Sequence, residues 1–141
     1  MPVTPFSDRL GVIDIIAADQ YITSLGFERE NILNTQYSDD TLDGDKLQIF
    51  VFAAPSNDGE NDLYISPVIE VDISAPQYKA SRAHKAAEQV IALLHGREIN
   101  GHTALQLVAP SPANLPCQFG YECIGLRFRY NATIVNKVRT I

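Results

Sequence analysis

The sequence predicts an α+β fold in which a mostly antiparallel sheet of four strands carries two helices on one face. Three observations predict this class. Two segments repeat apolar residues at helical spacing, four segments read as strands, and the elements follow one another in the order α-β-β-α-β-β. The chain has 141 residues, and we expect a single domain that spans 1–141.

The first predicted helix runs from Ser7 to Leu25 and ends at Gly26. Apolar residues recur at spacings of three and four along it, and they are Leu10, Ile13, Ala17, Tyr21 and Leu25. Four more apolar residues widen this stripe, and they are Val12, Ile15, Ile16 and Ile22. Because the stripe is broader than one buried face needs, we expect the helix to pack on two sides, in a deep core or against another subunit.

The next segment, residues 28–46, lacks a clean periodicity and contains an acidic loop. Asp39, Asp43 and Asp45 suggest a calcium-binding loop. That motif needs a closing glutamate at its twelfth position, which is Phe50 when counted from Asp39. The loop is therefore interpreted as a solvated turn.

The first two predicted strands are Leu47–Ala53 and Leu63–Ile73, joined by a turn. The first is apolar on both faces, as a strand covered on both sides would be. In the second, Pro67 predicts a bulge or an edge position because it cannot donate to a ladder. Glu70 and Asp72 share one face of this strand, which we assign to solvent, with a catalytic carboxylate pair as the alternative.

We expect Ser74–Pro76 to end that strand and to lead into a second helix, Gln77–His95, which ends at Gly96. Its predicted buried stripe consists of Ala83, Ala87, Val90, Ile91 and Leu94. Its predicted solvated side carries Lys79, Arg82, Lys85, Glu88 and Gln89. The many alanines allow this helix to approach a sheet closely.

The last two predicted strands are Thr103–Val108 and Gly120–Asn131, separated by the proline-rich loop Ala109–Pro116. Because side chains alternate across a strand, the final strand has two distinct faces. One face suits a core and carries Ile124, Leu126, Phe128 and Tyr130. The other carries Tyr121, Cys123, Gly125, Arg127 and Arg129, so it presents two arginines to water or to a partner.

The composition excludes several classes of protein. A net charge of −6 argues against a general nucleic-acid binder, which needs a basic stripe. No apolar run approaches the ~20 residues of a membrane span, and the first residues do not resemble a signal peptide. Cys117 and Cys123 are too few for a disulfide scaffold and are expected to be reduced. We therefore expect a protein of the cytosol.

The sequence contains no recognisable catalytic, metal or cofactor motif. His84 and His95 are eleven residues apart on a helix, about 16 Å, which is too far to share a metal. These two and His102 are interpreted as surface histidines. The cysteine spacing matches no zinc site, and no glycine-rich phosphate loop is present. We expect no enzyme activity, no metal and no cofactor.

Four stretches of the sequence resemble one protein family. They are Ser66–Pro76, the helix end Ile91–Gly96, Gly120–Glu122 and Leu126–Tyr130. In these stretches the chain resembles the tail terminator, or tail completion (minor tail), proteins of long-tailed bacteriophages and prophages. The resemblance covers roughly Leu47–Asn131. It lies in the order of the helices and strands and in the pattern of the strands that flank the helix.

The resemblance implies a structural virion protein that forms a ring, usually of six subunits. Such a ring docks on the last ring of the tail tube, stops tube polymerisation, and offers its other face for head-tail joining. The implied partners are other copies of the chain, the tail tube protein, and the head completion or connector protein. The implied location is the neck region of the virion, and the host cytoplasm during assembly.

The candidate residues for these subunit or tube contacts are Tyr121, Arg127, Arg129, Arg82 and Lys85. The alternative function is a small-ligand or protein-binding regulatory module. In that case Tyr121, Arg127 and Arg129 would line a pocket for an anionic ligand, which the arginines could bind in a bidentate manner.

Overall fold

The computed structural model describes residues 5–54, 64–65, 67–109 and 111–133. The turn predicted between the first two strands and the C-terminal tail from Ile134 lie almost entirely outside these residues. The fold class is α+β, as the sequence predicts. Among the described residues, no helix is long and apolar enough to cross a bilayer.

The first predicted helix is two helices, α1 (Pro5–Ala18) and α2 (Gln20–Ser24). Asp19 separates them in an extended conformation, and its carboxylate caps α2 by accepting a hydrogen bond from the Ile22 amide at 3.0 Å.

This division changes which side of the helical segment is buried. The fully or nearly buried side chains are Val12, Ile13, Ile16 and Ile22. Leu10 and Tyr21, which the predicted stripe placed inside, are 40% and 45% exposed. The single stripe is therefore wrong. The break at Asp19 resets the helical phase before Tyr21, and within α1 the buried side carries Val12, Ile13 and Ile16 rather than Leu10.

The second predicted helix is α3 (Ala80–Leu94), preceded by one 3-10 turn, Gln77–Lys79. Its amphipathic prediction is confirmed. The buried residues are Ala83, Ala86, Ala87, Val90 and Leu94, and Ile91 is half-buried. Arg82 and Lys85 are exposed on the outer side.

The strands are more numerous than predicted. The main sheet contains β1 (Ile32–Leu33), β2 (Gln48–Ala54), β4 (Val68–Pro76), β5 (Gln106–Leu107), β6 (Ala113–Asn114) and β7 (Tyr121–Arg129), and a second sheet contains β3 (Tyr64–Ile65) and β8 (Ala132–Thr133). The main order is β1-β2-β4-β7-β5, with β6 also on β7. Every pairing is antiparallel except β1 with β2. The predicted four-stranded sheet is too small because a two-residue strand carries no periodic signal.

Two predictions about β4 can be compared with the structure. The predicted end of the strand at Ser74 is wrong, because pairing continues to Pro76, which lies opposite Tyr121. At Pro67, for which the sequence predicts a bulge or an edge position, the strand is interrupted: β3 ends before it and β4 begins after it. The β3–β8 pair keeps the register of β4 and β7, so it extends that ladder beyond the interruption.

The main sheet separates two different layers. Its helix face carries Ile69, Val71, Ile73, Ile124, Leu126 and Phe128, which join residues of α1, α2 and α3 in one core cluster. Its loop face carries Glu70, Asp72, Ser74, Cys123 and Arg127, as the register requires. Segments 34–46 and 111–120 contact this second face, where the Tyr37 ring meets the edge of Phe50 at 5.7 Å and Leu115 lies over Gly125.

Candidate assembly surface

The five residues predicted to make assembly contacts do not form one surface. Arg82 and Lys85 lie on the outer side of α3, in the helix layer. Arg127 and Arg129 lie on the opposite face of the sheet. Tyr121 begins β7 and Arg129 ends it, which separates them by about 26 Å along the strand. The predicted anionic pocket lined by Tyr121, Arg127 and Arg129 is therefore wrong.

Arg127 forms hydrogen bonds within the protein through both its side chain and its backbone. Its Nε donates to Glu70 Oε1 at 2.8 Å, and its backbone amide donates to Ser111 Oγ at 3.0 Å. The Glu70 side chain is buried, whereas that of Arg127 is 50% exposed. Arg127 thus neutralises a buried carboxylate from the solvent side. Arg129 is exposed, and it forms no ion pair with the described part of the chain.

Asp72 lies beside this ion pair and is also buried. Burial first, and then the hydrogen bond and negative charge of Glu70, together raise the pKa of the Asp72 carboxyl to about 9. The prediction that Glu70 and Asp72 face solvent is therefore wrong. The physical reason is that the proline-rich segment covers their face of the sheet.

Gly125 makes this close covering possible. A Cβ atom at this position would lie 3.0 Å from a Leu115 methyl and 3.2 Å from Asp72 Oδ1. Both groups therefore occupy the space that a side chain would need. The glycine allows the carboxyl of one strand and the leucine of the covering loop to pack against the same backbone.

The carboxylate pair resembles an acid–base site in composition, since strongly perturbed carboxyls are common in such sites. A cleft of about 280 Å³ lies above it, lined by Glu70, Ser111, Leu115 and Arg127. However, Glu70 is held by Arg127, and Asp72 Oδ1 is closed off from solvent. In this arrangement the cluster can neutralise buried charge, and it does not present a free base to a substrate.

A second buried polar cluster joins α1 to the end of β7. Asp8 accepts hydrogen bonds from the Tyr130 hydroxyl at 2.5 Å and from Asn100 Nδ2 at 2.6 Å. His102 Nε2 lies 3.5 Å from Asp8 Oδ2. Burial raises the pKa of Tyr130, and the hydrogen bond to Asp8 adds to the effect. The prediction of a surface histidine is wrong for His102, which the cluster encloses.

The other predicted polar residues lie where the sequence suggested. His84 and His95 are exposed, and His84 Nε2 lies 2.7 Å from Glu122. Cys117 and Cys123 are free thiols, the first half-buried and the second buried. Across the described ranges, no group of three or more histidine, cysteine, aspartate or glutamate side chains could hold a metal ion.

Two exposed aromatic side chains near the start of β7 were not predicted from the sequence. Phe119 is 100% exposed and Tyr78 is 69% exposed. Tyr78 lines a groove of about 460 Å³ together with Asp45, Gln77 and Tyr121, and Phe119 directly precedes Gly120, which also lines it. A lone apolar residue in a loop has no periodicity that could have revealed Phe119.

No protein-family model matches the sequence, and no curated protein matches it. Among solved structures, the fold is similar to that of a chain in the virion of a native gene transfer agent particle, with a TM-score of 0.63 and 15% identity. The likeness covers 89% of this chain and 94% of that chain. A second solved structure gives a TM-score of 0.49 at 17% identity over 92% of both chains, too low to support an argument. The first likeness shows a shared fold.

Proposed function

We propose that this protein is a structural component of a phage-like virion and acts as a tail terminator. The observation that carries the proposal is the shared fold, which spans nearly the whole of both chains, with a chain of a gene transfer agent virion. The sequence resemblance to tail terminator proteins points the same way.

In this role, several copies of the chain form a ring, usually of six, at the end of the tail tube. One face of the ring binds the last ring of tube protein and stops further polymerisation. The other face receives the head completion or connector protein. The protein would thus reside in the neck of the virion after assembly in the host cytoplasm.

The exposed charged side chains support a role in binding other proteins. The α3 cations Arg82 and Lys85 are both exposed. Arg82 donates a hydrogen bond to the Leu25 carbonyl at 3.4 Å, and Lys85 forms no ion pair with the described residues. An acidic partner surface would complement these two positive charges. Such charge pairing sets orientation more than affinity, and it weakens as salt is added.

The experiment is deletion of the gene from the phage or particle that encodes it, followed by electron microscopy of lysates. We expect overlong tails, or tails that never join heads, and we expect the wild-type gene supplied in trans to restore joined particles. Tails of normal length attached to full heads would contradict the proposal.

Charge variants then locate the contact. The double variant Arg82→Glu with Lys85→Glu should reproduce part of the deletion phenotype, because both residues are exposed and their reversal should leave the fold intact. Arg29→Glu, which reverses the charge of an exposed side chain in the turn before β1, is the matched comparison. If the α3 double variant gives normal particles, the outer side of α3 is not a contact surface.

A further inference from the structure

Phe119 is the most exposed large apolar side chain of the described residues, yet its backbone is firmly held. It lies in the turn Gln118–Tyr121, which the Tyr121 amide closes by donating to the Gln118 carbonyl at 3.2 Å. The Gln77 amide donates to the Gly120 carbonyl at 2.7 Å, and the Gln118 amide donates to the Tyr37 hydroxyl at 3.3 Å. A fixed turn that displays an aromatic ring to water is typical of an interface anchor, since little backbone entropy remains to be lost on binding.

A groove suited to such a ring lies at the other end of β7. It encloses about 520 Å³, which is ample for one phenyl ring, and the half-buried apolar residues Ala104, Leu107 and Val108 contribute to its lining. Arg129 lines the same groove, and its guanidinium makes no ion pair with the described residues. A guanidinium is attracted to the negative face of an aromatic ring, so the groove complements Phe119 in charge distribution as well as in polarity.

The ring and the groove cannot meet within one molecule. Phe119 precedes Arg129 by ten residues, eight steps of which are the extended strand, so the two lie about 30 Å apart. A contact between them must therefore join two copies. Because the two surfaces differ, the contact is heterologous, and its repetition leads head to tail into a closed ring or an open filament.

We propose that copies of this chain associate head to tail, with Phe119 of one copy seated in the β5–β7 groove of the next and stacked near its Arg129. The inference rests on the proposed function in one respect, since a ring is the closed form of such a repeat. It adds the surface through which the copies meet, and it concerns neither the tube nor the connector.

The test replaces Phe119 with the photo-reactive analogue p-benzoylphenylalanine in the full-length protein, purified and irradiated at concentrations up to the millimolar range. We expect covalent dimers and higher multimers, with cross-links that map by mass spectrometry to residues 103–109 or 129–131 of a second copy. The same analogue at Tyr21, another exposed aromatic position, is the matched control and should give no cross-links to that groove.

Arg129→Glu should lower the yield of the Phe119 cross-link by about three- to tenfold, as expected for loss of a cation–π contact of roughly 1 kcal/mol. Lys85→Glu, on the other side of the sheet, should leave the yield unchanged. An unaltered circular dichroism melting curve for each variant shows that the fold is retained.

Two outcomes would overturn the inference: cross-links that map to other surfaces, or a protein that stays monomeric under irradiation at the highest concentration. Neither outcome bears on the deletion phenotype, so the terminator function would stand with a different subunit contact. Conversely, head-to-tail cross-links from a protein whose deletion leaves tails normal would support this contact and reject the terminator function.

Discussion

The two faces of the main sheet are both buried, but they are stabilised in different ways. The helix face presents Val71, Leu126 and Phe128 to a core of helices, and its side chains need only fill space. The loop face buries Glu70 and Asp72 under segments that have almost no regular structure. The comparison shows that alternation along a strand identifies which residues share a face, and says little about whether that face is covered.

The two faces should therefore fail in different ways. On the helix face, lost volume is the main threat, because burial of apolar area and close packing provide its stability. On the loop face, an unbalanced charge is the main threat. Each buried carboxyl group there must either pair with a positive charge or stay protonated and neutral. Four substitutions test this difference.

The largest effect is expected for Phe128→Ala on the helix face. Phe128 is fully buried, and truncation of such a side chain typically destabilises a protein by ~3–5 kcal/mol. Chemical denaturation measures the change in the free energy of unfolding. Phe119→Ala is the matched control and should leave it nearly unchanged, since that ring lies in water. An unaltered stability of Phe128→Ala would mean that the face assignment is reversed.

On the loop face, Arg127→Glu should destabilise the fold by about 2–3 kcal/mol, because it removes the partner of buried Glu70 and adds a like charge beside it. This is less than the full penalty for a broken buried pair, since Arg127 is half exposed. Arg129→Glu reverses the same charge two residues away at an exposed site and should change stability by less than about 0.5 kcal/mol. Equal effects in urea denaturation would show that the Glu70–Arg127 pair contributes nothing to the fold.

Gly125→Ala should cost about 1–2 kcal/mol, because the new methyl group would press on Leu115 and on the Asp72 carboxyl. Combining it with Leu115→Ala should recover part of that loss by making room for the methyl group. An unchanged thermal midpoint in the single variant would indicate that the segment carrying Leu115 can shift away from Gly125 at little energetic cost. In that case the loop face is packed much less tightly than the helix face.

Near pH 4, Asp72→Asn should change the free energy of unfolding least of the four substitutions, because asparagine mimics the protonated carboxyl. Since the folded pKa of Asp72 is raised to about 9, its contribution to stability is complete below the ordinary value of 3.8 and is lost as the pH rises toward 9. The wild-type protein should thus lose stability across this range by up to about 1.4 kcal/mol per pH unit from this group. The asparagine variant should show a flatter profile and be the more stable protein at pH 8. Parallel profiles in urea denaturation at pH 4, 6 and 8 would mean that Asp72 is ionised in the folded state.

The second buried polar cluster, which joins Asp8 to Tyr130, also depends on residues that are far apart in the sequence. Asp8 is a typical acidic residue in the first turn of a helix, and Tyr130 was already assigned to the core by alternation. Nothing local indicates that they meet, because 122 residues separate them. Their hydrogen bond depends on how α1 packs over the sheet, and so does the burial of His102.

Local sequence patterns are sufficient to predict the α+β class, the long strands β2, β4 and β7, the buried stripe of α3, and the core side of Ile124, Leu126 and Phe128. Each of these follows from a repeat of 2 or 3.6 residues, which the backbone geometry imposes locally. The remaining features come from long-range packing. It added the two-residue strands, divided the first helix at Asp19, and covered the loop face of the sheet. It also placed Phe119 and the groove beside Arg129 at opposite ends of one strand. Those features depend on which distant segments come into contact, and a contact between distant segments has no period in the sequence.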